Sequence, residues 1–211
     1  DLRMNQVMND GGTALLIASE KGHVEVLSLL LSKRDIDINR AKDGGFTALF
    51  TASQNNCVKM VELLLSKSDI DINKAMNDGS TALFIASQNG HVDVVRLLLS
   101  KICIDINKAT KDGSTALHIA SLNGHVDVVR LLLSKNCIDI NKAMDGGWTA
   151  LYIASEKGHV EVVRLLSSRS EIDINKAMND GFTALIMASL AGRVEVVRLL
   201  LSKSDIDINK A

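Results

Sequence analysis

Thr-Ala-Leu occurs six times in this chain, at Thr13, Thr47, Thr81, Thr115, Thr149 and Thr183, and every step is 34 residues. A second marker, Ile-Asp-Ile-Asn, keeps the same step and begins at Ile36, Ile70, Ile104, Ile138, Ile172 and Ile206. A fixed period of this length marks a repeat architecture, in which one supersecondary unit is copied and stacked. Six units tile residues 8–41, 42–75, 76–109, 110–143, 144–177 and 178–211. Residues 1–7 line up with the unit tail Asp69–Ala75. They are expected to be the end of a truncated preceding repeat, so the chain reads as a segment of a longer array or as an engineered one.

The third unit carries the local reading. Thr81 suits an N-cap, and Ala82–Gln88 holds strong helix formers. Asn89-Gly90 is a turn signal, and Val92–Ser100 reads as a second helix. Its polar positions Asp93, Arg96 and Ser100 form one narrow stripe, with Val92, Val94, Val95, Leu97, Leu98 and Leu99 around the rest. A helix apolar on both flanks must touch neighbours on both sides. Asn77-Asp78-Gly79 predicts a tight turn after an extended segment. One unit cannot bury its own helices, whereas stacked units can.

These residues resemble the ankyrin repeat. The fourth unit reads Thr115-Ala116-Leu117-His118-Ile119-Ala120, then Gly124-His125-Val126, then Asp139-Ile140-Asn141. Tetratricopeptide repeats share the period, but their Trp-x-x-Leu-Gly-x-x-Tyr pattern is absent. The resemblance implies an all-α solenoid of stacked helix-turn-helix units with projecting β-hairpin tips. It also implies protein–protein binding on a concave face built from tips and first helices. Two departures stand out. Ala follows the Thr in every unit where the family usually has Pro, which costs pre-organisation at the first helical position. The second helix also lacks its usual closing Gly, so the loop after it must be rebuilt.

Variation between units marks the candidate partner-binding residues. The position before the Thr is Gly12, Phe46, Ser80, Ser114, Trp148 and Phe182, and the third after it is Leu16, Phe50, Phe84, His118, Tyr152 and Ile186. All six aromatics of the chain lie in these two columns. Met76, Met144 and Met178, with Met8, fill a third column at the hairpin start, and Leu122 and Leu190 vary the end of the first helix. Aromatics make good anchors and Met suits adaptable surfaces. The alternative for Phe50, Phe84 and Tyr152 is packing between adjacent first helices.

Other chemistry is not expected. His23, His91, His125 and His159 share a column, but neighbouring units stand ~8–10 Å apart and Zn–N bonds are ~2.0–2.1 Å. These histidines are expected to bond backbone. Cys103 and Cys137 are one period apart, too far for a disulfide, and Cys57 is a small turn residue. Asp69-x-Asp71-x-Asn73 begins like a calcium loop, but the required Gly and bidentate Glu are Lys74 and Ser80. Arg96, Arg130, Arg164 and Arg198 each follow an acid by three residues, which predicts a solvated ion-paired stripe. No catalytic constellation, phosphate loop, metal site or cofactor is expected.

A formal net charge of −1 argues against a nucleic-acid binder, and no apolar run approaches the ~18 residues of a membrane span. Three cysteines without a secretory signal point to an intracellular, cytoplasmic or nuclear, chain. The end units keep apolar positions such as Val26, Leu29, Val194 and Leu201, a route to weak end-to-end self-association. The leading expectation is a non-enzymatic scaffold for a protein partner. A consensus-like or designed array without a specific partner, and the targeting arm of a larger protein, are the alternatives.

Overall fold

The computed structural model describes residues 7–210, so the expected fragment of a preceding repeat lies outside the described residues except for Val7. The chain divides into two compact units, Asp1–Lys108 and Ala109–Ala211, one residue from a repeat boundary. The first carries α1 (Ala14–Lys21), α2 (Val24–Leu31), α3 (Ala48–Gln54), α4 (Val58–Leu65), α5 (Ala82–Gln88) and α6 (Val92–Leu99). The second carries α7 (Ala116–Leu122), α8 (Val126–Leu133), α9 (Ala150–Lys157), α10 (Val160–Leu166), α11 (Ala184–Leu190) and α12 (Val194–Leu201). In the first unit α1, α3 and α5 pack side by side, as do α2, α4 and α6. The second unit repeats this with α7, α9 and α11 beside α8, α10 and α12. The fold is an all-α repeat solenoid.

Each first helix starts where the Thr predicts it. Thr81 is extended, with φ −107° and ψ 172°, and its Oγ1 accepts the Phe84 backbone N–H at 3.2 Å. Thr47 does the same for Phe50 at 3.1 Å. The caps satisfy a helix-start N–H that has no partner within the helix. Ala82 therefore occupies the first helical position, where Pro would fit.

The second helices end without a left-handed glycine. Ser66, Ser100, Ser134 and Ser202 remain right-handed helical. Their hydroxyls donate to the carbonyl three residues back at 2.6–2.7 Å. The rebuilt loop is then held by an asparagine ladder. Nδ2 of Asn73 donates to the Cys103 carbonyl at 2.7 Å, and its Oδ1 accepts the Asp105 N–H at 2.8 Å. Asn39 makes the same pair with Asp69 and Asp71. In the second unit, Asn141 joins Glu171 and Asp173, and Asn175 joins Asp205 and Asp207. Each amide thus staples its repeat to the next with two charge-independent bonds.

The core is aliphatic. Leu49, Ala52, Leu83 and Ala86 on the first helices meet Met60, Val61, Leu64, Val94, Val95 and Leu98 on the second, all buried. Val92 and Leu97, expected to share that apolar surface, are half-buried. The fifth repeat breaks the pattern: Ser167 stands where the first four repeats have buried Leu31, Leu65, Leu99 and Leu133, and α10 stops one residue earlier. In the end repeats of the described chain, Val26, Leu29, Val194 and Leu201 are exposed.

Candidate functional site

The tips come from a backbone turn with a glycine at its fourth position. The N–H of Met76 donates to the Ser80 carbonyl at 2.9 Å and the N–H of Gly79 to Met76 at 3.0 Å. Met144 with Trp148, and Met178 with Phe182, repeat the first bond at 2.9 Å. Adjacent tips then join: the Asn77 N–H donates to Gly44 and the Asn179 N–H to Gly146, at 2.9 and 3.1 Å. Gly45 shows why the turn needs glycine. Its φ is +94°, and a Cβ there would stand 2.7 Å from the Met76 Cα. The tips are therefore stitched by main chain, which leaves their side chains available for other contacts.

The two aromatic columns part company. Phe50, Phe84 and Tyr152 are buried between helices, as are Leu16 and His118 in the same column. Phe50, Phe84 and Tyr152, candidates for partner contact, expose little surface here, as the alternative of packing between adjacent first helices expects. The column on the tips is accessible. Trp148 is 44% exposed, and Phe46 and Phe182 are half-buried. Met76, Met144, Met178 and Leu122 are half-buried, and Leu190 is 71% exposed. In the first unit, Phe46 meets Phe50 edge-to-face with ring centroids 5.6 Å apart. The buried ring there supports the accessible one.

His118 has a structural task. It is almost wholly buried, and its Nε2 stands 3.0 Å from the Lys142 carbonyl. A carbonyl only accepts, so Nε2 carries the proton. Nδ1 then accepts the Thr115 backbone N–H at 3.1 Å, completing a reciprocal cap with the Thr115 side chain. Burial holds this imidazole below its ordinary pKa, against the smaller opposing effect of its backbone bonds.

His91 and His159 bond backbone as expected of the turn column, and the acceptor lies in the preceding repeat. His91 Nε2 is 3.0 Å from the Gln54 carbonyl, and His159 Nε2 is 2.9 Å from that of Leu122. In the sixth repeat Arg193 takes over, donating from Nε to the Glu156 carbonyl at 2.8 Å. The second repeat has Asn56-Cys57 in place of Gly-His, and Asn56 adopts φ 56°. Cys57 reaches only its own turn, with Sγ 3.7 Å from the Asn55 carbonyl.

The outer stripe carries three of the four predicted ion pairs, Arg96–Asp93 at 3.9 Å, Arg164–Glu161 at 3.3 Å and Arg198–Glu195 at 3.6 Å. All are exposed, where such pairs contribute little. Cys57, Cys103 and Cys137 form no disulfide. Among the described residues no cluster of three His, Cys, Asp or Glu is placed to hold a metal, and no helix is long and apolar enough to cross a membrane. One cluster escaped the sequence reading. Lys42 on the second tip pairs with Glu20 at the end of α1, with its ammonium 5.6 Å from the Phe46 ring centroid. Charge complementarity between those columns was its only trace in the sequence.

The family model described as ankyrin repeats in three copies matches residues 1–76, 71–144 and 136–211. A similar solved structure is the crystal structure of EF0377, an ankyrin repeat protein, with a TM-score of 0.84 and 27% identity; the match covers 93% of this chain and 99% of that one. No curated protein matches the chain.

Proposed function

The chain belongs to the ankyrin repeat family, and from that premise we propose that it is a non-enzymatic, intracellular scaffold whose hairpin tips and first-helix ends bind a partner protein. Ankyrin repeats are in general protein–protein interaction modules. The observation that carries the reading is the exposure of Trp148 on its tip, with Phe46 and Phe182 half-exposed in the same column. Large rings at accessible positions suit binding anchors, since they add contact area at low entropic cost. The Met column and Leu122 and Leu190 extend that face, while Phe50 supports Phe46 from beneath.

The test is affinity capture from lysate with the chain and with its Phe46→Ala/Trp148→Ala/Phe182→Ala variant, followed by quantitative mass spectrometry. Partners recovered by the parent and lost by the variant are expected. Equal recovery by both would remove these anchors from the interface. The exposed Val26, Leu29, Val194 and Leu201 also support weak self-association, expected as a concentration-dependent rise in sedimentation coefficient.

A further inference from the structure

The first unit contains a small cation site that is already filled. The Lys42 ammonium is shared between the Glu20 carboxylate and the face of Phe46. Lys42 lies 22 residues after Glu20, and Phe46 lies 26 after it. The same offsets from Glu156, in the second unit, arrive at Met178 and Phe182. The fifth and sixth repeats therefore repeat the carboxylate and the ring in register, with an uncharged thioether where the lysine stood. Among the repeats, only these two neighbouring pairs combine a Glu at the helix end with an aromatic on the next tip.

The second unit adds groups that the first lacks. Tyr152 lies one turn before Glu156 on α9, so the two share a face. Its phenol is pushed above the ordinary range, first by burial and then by the negative charges of Asp180 and Glu156. Asp180 on the sixth tip and Glu156 on α9 thus both act on the Tyr152 ring. Trp148 stands exposed on the adjoining fifth tip. Glu156 also meets Lys157 at 3.4 Å, a neighbouring exposed pair of the weak kind.

We propose that the face between the fifth and sixth tips binds a lysine or arginine side chain of a partner polypeptide, held by the carboxylates of Glu156 and Asp180 against the rings of Phe182 and Trp148. The incoming ammonium or guanidinium takes the position that Lys42 fills in the first unit. Ring faces attract cations, and two carboxylates flanking a partly desolvated ring strengthen that attraction. The thioether of Met178 and the apolar Leu190 give the stem of a long basic side chain somewhere to lie. This inference rests on the tip face being the binding surface.

The test uses a displayed library of random linear peptides panned on the whole chain, with binding then followed by the anisotropy of fluorescently labelled peptides. Selected peptides are expected to share a Lys or Arg at one fixed position, and changing it to Met should weaken binding at least about tenfold, or about 1.4 kcal/mol. Glu156→Gln with Asp180→Asn should lose a similar factor, whereas Asp127→Asn on the outer stripe should lose nothing. Met178→Lys is the sharper variant. It supplies an internal cation at the Lys42 position, so it should block the peptides while leaving the urea midpoint near that of the parent. Peptides that need Trp148 and Phe182 but carry no basic residue, or that bind Met178→Lys undiminished, would overturn the cation site and leave the tip face standing. Peptides indifferent to Trp148→Ala and Phe182→Ala would overturn the tip face, and this inference with it.

Discussion

Cys57→His should stabilise the first unit by about 1 kcal/mol, because it restores a contact that the third and fifth repeats make. His91 and His159 each bring Nε2 to within 3.0 and 2.9 Å of a carbonyl at the end of the preceding first helix. Those carbonyls lack a donor within their own helix. One such bond is worth about 0.5–1.5 kcal/mol net. The ring also covers the preceding repeat's glycine: a Cβ on Gly124 would stand 2.7 Å from His159 Nδ1. Covering about 20 Å² of apolar surface adds about 0.5 kcal/mol, and fixing the new side chain takes back a comparable amount. Opposite Cys57 the matching glycine, Gly22, has nothing within 4 Å of its Cβ position, so the ring has room. The acceptor would be the carbonyl of Glu20, in register with Gln54 and Leu122. Urea unfolding followed by circular dichroism should show a midpoint raised by roughly 0.5 M at unchanged slope, given typical slopes of about 1–3 kcal/mol/M. The reciprocal His91→Cys should lower it by a similar amount. A Cys57→His midpoint at or below the parent, beside a destabilised His91→Cys, would show that the bond depends on more than register and space.

Four further outcomes follow from the same geometry. Ala82→Pro should stabilise by about 0.4–1 kcal/mol in urea, since Thr81 is already extended and the first helical N–H is not needed. Ser87→Ala should be neutral or stabilising by up to about 1 kcal/mol, because the Ser87 hydroxyl is buried without a hydrogen-bond partner, as are those of Ser53, Ser121 and Ser155. Asn73→Ala removes two backbone partners and should cost about 1–3 kcal/mol, read as a lowered midpoint. Stability should fall as pH drops below the unfolded histidine value of 6.5, because the unfolded chain takes up a proton that buried His118 resists. The loss levels off below the depressed folded pKa, its slope does not exceed about 1.4 kcal/mol per pH unit, and His118→Ile should flatten that part of the pH–stability curve.

Much of the fold was legible because each repeat restates the same local rules. The capping Thr, the turn at Asn89-Gly90 and the aliphatic second helix each recur, so the reading of one unit is tested by the others. The backbone role of the turn histidines was legible from distance alone, since a column spaced by helix packing cannot share an ion. The asparagine ladder was not read, although Asn73 and its equivalents recur at the period. An invariant polar residue in a tail looks the same whether it caps its own turn or reaches the next repeat, and only the folded register shows which. The aromatic columns hid the opposite problem. A position varies when it meets a changing partner and also when its packed neighbours change with it. Leu16, Phe50, His118 and Tyr152 are all buried although they differ in shape and polarity. On the tips, Ser80 and Ser114 are buried while Trp148 is exposed, so side-chain size itself decides what emerges there.

That last contrast bears on how a repetitive chain can hold a specific surface. The tips are joined by main-chain bonds, and those bonds are indifferent to the side chains at positions such as 42, 46, 178 and 182. A substitution at a tip therefore changes what the surface offers without touching the bonds that build it. Buried columns have no such freedom, because a ring or methylene added there must displace a neighbour in a close-packed interior. Lys42 and Met178 show the consequence. They stand at equivalent positions of the repeat, yet one satisfies a carboxylate and a ring from within the chain, while the other is an uncharged thioether beside a carboxylate whose ion pair is with exposed Lys157. The difference between a closed surface and a receptive one is thus carried by one side chain per tip, at positions where stability exerts little selection against change.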